Sequence, residues 1–376
     1  MSIYLDNSST TLHKPPQVAQ AVAQAIGTCG NAGRSFYDAA NKANRTIHIA
    51  RMSVARLLGL TKAGSIALTS SFTEGLNLLV ISMLSPGDEV IITSAEHNAV
   101  LRPLKLLDCS IKLIKSDADG LPDPQAFKST VSSNTRAMFI NHASNVTGRI
   151  ADAQSFGALC REAGIPLVLD VAQSLGHVPV EASMCDIAVF TGHKGLFGPQ
   201  GTGGIALLGN IPLKRIAKTG GTGFGRHDVL AEPIFPDAFE AGTPNSHSFA
   251  GLVAGIDFLN RTGIEKIHSY EISLWRKFVQ GVLEIPGIQI YGLGDISSDS
   301  RAPVVSLNLG DMPAGELGLR LWEEYGIATR PGSHCAPLLH RLLGTEERGT
   351  VRFSMSWFST DEDIDTAISA LRNIAK

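Results

Sequence analysis

Residues 186–194 read DIAVFTGHK, a short apolar run that ends in a hydroxyl, a histidine and a lysine. The run 186–190 is apolar after its first residue, which is typical of a strand covered on both faces of a parallel sheet. Helical patterns separate it from its neighbours, and this alternation predicts a doubly wound α/β domain with a mostly parallel sheet. Six similar runs complete seven predicted strands: 65–69, 89–93, 111–114, 137–140, 166–170 and 204–208.

The last third of the chain has a different pattern. Strands are predicted at 304–309, 326–329 and 351–355, helices at 249–261 and 264–283, and an amphipathic helix at 361–374. The connections between these elements are longer than in the first part of the chain. This region therefore predicts a smaller α+β domain.

The length and composition of the chain exclude several classes of function. The chain has 376 residues, enough for roughly two domains at about 150 residues each. Its 32 basic and 35 acidic residues give a net charge of −3, with no electrostatic footprint for nucleic acid or an anionic membrane surface. No apolar run approaches the ~20 residues of a membrane helix, and the first six residues lack a signal-peptide pattern. The five cysteines form no C-x-x-C pair, so we expect a cytoplasmic protein without a metal site.

Ligands of open α/β sheets bind beyond the carboxyl ends of the strands, so the residues that follow each predicted strand are the candidates for chemistry. These positions carry Ser70–Glu74 hydroxyls at a helix start, His97, Asn145, Asp170 and Lys194. Each alone fits an ordinary role, such as a helix cap or a solvated loop side chain. Together they match the needs of pyridoxal phosphate (PLP): an anion site, a stacking group, an acid for the pyridine nitrogen and a lysine for the aldehyde.

Lys194 carries most of this interpretation. It lies between two glycines, in the segment Gly192-His193-Lys194-Gly195, at the end of a predicted strand. Burial of such a lysine destabilises its ammonium form and lowers its pKa, which suits Schiff-base chemistry. Nucleotide-binding alternatives lack support, since the sequence has no P-loop and no G-x-G-x-x-G after a strand.

The same residues resemble the class V aminotransferase family and, within it, the cysteine desulfurases. The resemblance covers nearly the whole chain. It implies PLP-dependent fold type I, with a large domain of residues 20–250 and a small domain of residues 1–19 and 251–376. The segment 330–336, which reads RPGSHCA, resembles a motif of type II desulfurases, a group similar to selenocysteine lyases. The other segments that carry the resemblance are 5–11, 96–98, 169–173 and 191–194.

The resemblance implies PLP as cofactor and assigns a role to each matching residue. Lys194 binds the aldehyde, Asp170 pairs with the pyridinium nitrogen and His97 stacks on the ring; with Cys335 these form the implied catalytic set. The further implied cofactor contacts are Phe72, Thr73, Asn145, Gln173, Thr191, His193 and, from the neighbouring subunit of a homodimer, Thr243. The implied substrate-binding residues are Arg352, which grips the substrate carboxylate, with Asn145, Asn31, Arg34 and Arg330.

Cys335 decides which reaction the resemblance implies. In the family this cysteine attacks the sulfur of the bound substrate and leaves as a persulfide, while the carbon skeleton departs as alanine. The implied function is thus a cysteine desulfurase that mobilises sulfur from L-cysteine and passes it to an acceptor protein or small thiol. Alternatives are a selenocysteine lyase, a cysteine-sulfinate desulfinase, another class V lyase or transaminase, or a sulfur-carrier or scaffold-binding protein. The remaining thiols, Cys29, Cys109, Cys160 and Cys185, are interpreted as inert.

Overall fold

A computed structural model describes residues 2–33, 35–209, 211, 213–221 and 235–376. The strands are β1 (Ile3–Tyr4), β2 (Ile66–Thr69), β3 (Glu89–Thr93), β4 (Ser110–Ile114), β5 (Thr135–Asn141), β6 (Leu167–Asp170), β7 (Ile187–Thr191), β8 (Gly203–Leu207), β9 (Ile288–Tyr291), β10 (Val304–Leu309), β11 (Ile327–Ala328), β12 (Arg330–Gly332) and β13 (Thr350–Ser354). The helices are α1 (Pro16–Thr28), α2 (Asp38–Leu57), α3 (Phe72–Met83), α4 (Asn98–Leu106), α5 (Phe127–Thr130), α6 (Ala153–Ala163), α7 (Ser246–Thr262), α8 (Ile264–Leu283), α9 (Ala314–Tyr325), α10 (Pro337–Leu342) and α11 (Asp361–Ile374).

A seven-stranded sheet organises the first two thirds of the chain. Its order is β2-β8-β7-β6-β5-β3-β4, and β8 runs in the direction opposite to the other six strands. All seven predicted strands are present, with ends that differ by a residue or two. The prediction of an α/β fold with a mostly parallel seven-stranded sheet is confirmed.

Both faces of this sheet are covered, which explains the continuous apolar runs. Along β6, Leu167 and Leu169 join a core cluster with α2, α6 and α7, whereas Val168 faces the opposite cluster with α3 and α4. Successive strand side chains point to opposite faces, so a strand between two helical layers needs apolar residues at every position.

A second, four-stranded sheet of order β12-β13-β10-β9 is antiparallel and packs with α8, α9 and α11 around its own core. The sequence pattern does not predict β9, β12 or α9. The β12 strand has only three residues and includes Pro331 and Gly332, which disfavour a strand assignment. The N-terminal β1 pairs in parallel with β11, and this contact ties the first residues of the chain to the C-terminal part.

The division into two domains at residue 250 stays a prediction. That boundary falls inside α7, whose buried residues Phe249, Leu252, Ile256 and Leu259 belong to the core of the large sheet. In the described ranges, no helix has the length and apolar character needed to span a bilayer.

Candidate active site

A cavity of about 210 Å³ opens beyond the carboxyl ends of β5, β6 and β7, the edge at which parallel α/β sheets bind ligands. Segments from the start, middle and end of the chain meet there. Its lining residues are Ser8, Ser9, Ser71, Phe72, Thr73, His97, Asn141, Asn145, Asp170, Ala172, Gln173, Thr191, His193, Lys194, Arg330 and Arg352.

Lys194 and Asp170 face this cavity from neighbouring strand ends. Asp170 is the last residue of β6, and its Oδ1 accepts a hydrogen bond from the Ala172 N–H at 2.9 Å, which fixes the carboxylate. Burial raises the pKa of Asp170, and the nearby Lys194 charge opposes that shift. Burial also lowers the pKa of Lys194, and the positive charge of Arg352 acts in the same direction. The site therefore combines a lysine whose pKa is lowered with a buried acid whose pKa is raised.

His97 presents a neutral ring. It is the N-cap of α4, and its Nδ1 accepts a hydrogen bond from the Ala99 N–H at 3.0 Å. Burial lowers the pKa of His97 to about 4, with the charge of Lys194 adding to the effect. With Nδ1 accepting, the ring proton sits on Nε2. A neutral, oriented imidazole can stack on a flat ligand.

One end of the cavity suits an anion. The helix α3 begins there, and Ser71 caps it by accepting from the Glu74 N–H at 3.0 Å. The first turn presents N–H groups and the positive end of the helix dipole. Thr191 Oγ1 and His193 Nδ1 are buried without a hydrogen-bond partner among the described residues. These unpaired polar atoms line the same cavity as the N-terminus of α3, and together they are chemically suited to a phosphate group.

Two arginines line another part of the cavity. Arg352 is buried, and its NH2 donates to Asp6 Oδ1 at 3.0 Å and to Ser9 Oγ at 2.7 Å. Arg330 NH1 donates to the same Ser9 hydroxyl at 3.0 Å. Burial lowers the pKa of Arg352 to about 10, which still leaves it charged at neutral pH. Fixed guanidinium groups of this kind bind carboxylates.

Cys335 lies beside the cavity and does not line it. It occupies the turn between β12 and α10 with a φ of 58°, a left-handed conformation that few non-glycine residues adopt. Its carbonyl accepts from the Asn98 N–H at 2.7 Å, next to His97, and its Sγ lies 3.9 Å from Arg330 NH2. The thiol is thus anchored to two segments that do line the cavity, with a cation beside the sulfur.

The remaining predicted residues divide into three groups. Asn145 and Gln173 line the cavity; Asn145 Nδ2 donates to the His334 carbonyl at 2.6 Å, and Gln173 Nε2 donates to the Ser8 carbonyl at 3.0 Å. Asn31 and Thr243 lie away from the cavity lining of the chain, and Thr243 is exposed. Its predicted role concerns a second subunit and stays a prediction. Arg34 lies outside the described residues.

Several residues of the site have no role that the sequence predicts. Ser8 and Ser9 line the cavity, and Asp6 holds Arg352, although the segment 5–11 supported the resemblance only as a whole. Asn141, at the end of β5, also lines the cavity. The available signal was position, because Asn141 directly follows the predicted parallel strand 137–140, at the carboxyl end where ligands bind.

The sequence profile described as "Aminotransferase class-V" matches residues 3–366. The chain belongs to the class V aminotransferase family. It is 32% identical to a probable cysteine desulfurase of Methanothermobacter thermautotrophicus, covering 99% of this chain and 94% of the relative. It is also 32% identical to a cysteine desulfurase of Serratia proteamaculans, over 91% of this chain and 86% of that protein.

Solved structures agree with this assignment to class V. The apo structure of a cysteine desulfurase from Thermococcus onnurineus superimposes with a TM-score of 0.90 at 27% identity, covering 100% of this chain and 94% of that one. A cysteine desulfurase from Escherichia coli gives a TM-score of 0.81 at 27% identity, with the same coverage. The predicted resemblance and the fold type I architecture of this class V protein are confirmed.

Proposed function

We propose that this class V protein is a PLP-dependent cysteine desulfurase, which converts L-cysteine to L-alanine and receives the sulfur on Cys335 as a persulfide. The observation that carries the proposal is the position of Cys335 beside Arg330, at the edge of a cavity that also holds Lys194 and Asp170. The names of its relatives support the same reaction.

The residues around the cavity fit PLP. Thr191 and His193 offer unpaired buried polar atoms for its phosphate, together with Thr73 and the backbone N–H of Phe72 at the start of α3. Lys194 would hold the aldehyde end through its amine. The remaining contacts proposed for the ring are Asp170 at the nitrogen, His97 on one face, and Gln173 and Asn145 at the ring oxygen and its surroundings. When bound, PLP supplies an electron-withdrawing ring that stabilises negative charge next to the substrate amine.

Arg352 has the geometry to bind the carboxylate of the amino-acid substrate. Its guanidinium is held by Asp6 and Ser9, so little conformational freedom is lost when a carboxylate binds. Arg330 and Asn145 line the same cavity. The proposed contacts of Asn31 and Arg34 with the substrate rest on the resemblance alone. Arg330 also places a guanidinium nitrogen 3.9 Å from the sulfur of Cys335.

The proposal includes a homodimer in the cytoplasm that passes sulfur to an acceptor protein or a small thiol. Phe36 is 98% exposed and Tyr37 is 55% exposed, although large aromatic side chains are usually buried. A second copy of the chain would remove this surface from water, and Thr243 is proposed to reach the phosphate of the partner's site.

The test compares Cys335→Ala with Cys109→Ala, because both thiols are partly exposed. Each loaded protein is incubated with L-cysteine, and alanine and protein persulfide are measured. We expect Cys335→Ala to lose persulfide formation while it keeps the cofactor absorbance, and Cys109→Ala to match the wild type. Full sulfur release by Cys335→Ala would contradict the proposed role.

The same variants separate the alternative substrates. Selenide and sulfite leave more readily than sulfide, so a selenocysteine lyase or a cysteine-sulfinate desulfinase does not need the thiol. Activity on those substrates that survives in Cys335→Ala, with little activity on cysteine in the wild type, would favour those alternatives. A purified protein that develops no visible absorbance with added PLP would favour a sulfur-carrier or scaffold-binding role.

A further inference from the structure

Glu96 is a fully buried carboxyl group that none of the roles above uses. Its side chain has 0% exposure, and it precedes His97 in the loop between β3 and α4. Its Oε1 accepts from the Thr93 hydroxyl at 2.7 Å and from the Asn141 N–H at 3.0 Å. Its Oε2 has no hydrogen-bond partner within the described part of the chain.

The surroundings of Glu96 disfavour a negative charge. None of the ion pairs formed by described residues includes Glu96. The charged group that acts on it from the neighbouring sheet edge is Asp170, which is itself an acid. The nearby histidines supply no cation either, because burial lowers the pKa of His97 and of His142 to about 4. A buried carboxylate with no cation and a like-charged neighbour takes up a proton.

Glu96 also connects two groups that line the cavity. Asn141 pairs with Asp170 in the register of β5 and β6, and its backbone N–H is held by Glu96. The side chain of Asn141 donates to the Ala95 carbonyl at 3.2 Å, in the same loop. This loop continues into His97. Glu96 therefore fastens the segment that presents His97 to the strand end beside Asp170.

We propose that Glu96 is a positioning residue that stays a neutral carboxylic acid, so that it orients His97 and Asn141 without adding a second negative charge beside Asp170. Burial raises the pKa of Glu96 to about 8, in agreement with this state at neutral pH. The positioning role rests on the proposed function of the site, whereas the protonation state does not.

Infrared difference spectra of the purified full-length protein at pH 7 test the protonation state without cofactor or substrate. We expect wild type minus Glu96→Gln to show the carbonyl band of a protonated acid. The control is Glu89→Gln. Glu89 is also buried, but its carboxylate accepts hydrogen bonds from Ser132 and Thr135 and lies 3.7 Å from Lys112 Nζ. The difference spectrum of wild type minus Glu89→Gln should therefore show carboxylate bands only. Carboxylate bands for Glu96 would overturn the proposal.

Glu96→Asp covers the case that the glutamine variant does not fold. A shorter acid in the same apolar surroundings should shift the protonated-acid band, whereas a difference in carboxylate bands alone would overturn the proposal.

The positioning role is tested by measuring the visible absorbance of the PLP-loaded protein as a function of pH. Glutamine keeps a neutral acceptor for Asn141, so Glu96→Gln should leave the midpoint of the absorbance change unaltered. Glu96→Ala removes the acceptor and should change the spectrum. A charged Glu96 in the wild type would instead make Glu96→Gln move the midpoint by about one pH unit or more. An alanine variant with the wild-type spectrum would refute the positioning role.

Discussion

Burial, more than residue type, decides the protonation states at the residue scale. Lys194, Asp170 and His97 all sit within one cavity, and for each the loss of water is the leading cause of the pKa shift. The direction follows from the charge that burial disfavours: the acid becomes weaker, and the lysine and histidine lose protons more easily. The site thus prepares a reactive amine, a buried acid and a neutral ring.

The free energy of unfolding should depend on pH because Glu96 binds its proton more tightly in the folded protein than in the unfolded chain. Its pKa is raised from the ordinary 4.5 to about 8 in the folded protein, so its contribution is fully present below pH 4.5 and is lost as the pH rises to about 8. Over this window the free energy of unfolding of the wild type should fall relative to Glu96→Gln by up to ~1.4 kcal/mol per pH unit. Urea unfolding at pH 5, 6, 7 and 8 measures the difference.

Glu89→Gln is the control for this measurement. Hydrogen bonds from Thr135 and Ser132 lower the pKa of Glu89, so its contribution is already complete above pH 4.5 and gives no slope in the same window. Parallel pH curves for the wild type and Glu96→Gln would show that Glu96 is ionised in the folded protein.

At the scale of elements, two loops fix the lysine by close backbone contact. The loop after β6 and the loop after β7 approach so closely that a Cβ on Gly195 would lie 2.5 Å from the Leu175 carbonyl oxygen. A Cβ on Gly176 would lie 2.4 Å from the Gly195 carbonyl oxygen, and Gly176 also has a φ of 95°. This close contact fixes the position of Lys194, which directly precedes Gly195 and lines the same cavity as Asp170, the last residue of β6.

Gly195→Ala should therefore displace the lysine-bearing loop. We expect the free energy of unfolding to fall by ~1–3 kcal/mol and the affinity for PLP to fall with it, since the added methyl group has no room. Urea unfolding and absorbance titration with PLP measure both effects.

Gly27→Ala is the matched substitution. Gly27 lies in α1, and a Cβ there meets nothing within 4 Å. It should raise helix stability by up to ~1 kcal/mol and leave PLP binding unchanged. A Gly195→Ala protein that binds PLP like the wild type would show that the loop contact does not position the lysine.

At the scale of the whole molecule, the substrate end of the site joins segments far apart in sequence. Arg352 on β13 donates to Asp6 and Ser9 from the N-terminal segment and to the carbonyl of Asn145 at 3.1 Å. A second link between distant parts is the buried pair of His177 and Glu271, whose Nδ1 and Oε2 atoms are 2.8 Å apart. Substrate binding therefore depends on the docking of the C-terminal part against the large sheet.

Arg352→Lys should test this dependence. A lysine has a single ammonium and cannot keep all three contacts while it also binds a carboxylate. Losing charged hydrogen bonds worth ~1.5–3 kcal/mol should raise the KM for cysteine by about tenfold to a hundredfold. Steady-state kinetics with cysteine measure this change in KM. Arg372→Lys, in an exposed pair with Glu284, should behave as the wild type. An unchanged KM in Arg352→Lys would remove Arg352 from the substrate site.

Local pattern was sufficient for the elements with strong hydrophobic signals. The pattern predicts all seven strands of the large sheet and the helix Asp361–Ile374. Six of these strands are buried along nearly their whole length, which makes them continuously apolar, whereas the largely exposed edge strand β4 is predicted from its aliphatic residues alone. Burial of one face makes the helix amphipathic. Strands with weak patterns were missed: β12 has three residues, and β9 has partly exposed side chains. Such strands form because neighbouring strands supply their hydrogen-bond partners.

The sequence by itself determined the fold class and the residues that end each parallel strand, among them Asp170 and Lys194, since strand order and chain direction bring those ends to one edge. It did not determine that Ser9 bridges Arg330 and Arg352, that Glu96 is buried beside Asp170, or that Cys335 stands outside the cavity lining. Those facts depend on contacts between residues up to 346 positions apart, and on the water that packing removes. Only the tertiary structure determines these long-range contacts and the exclusion of water from the side chains that make them.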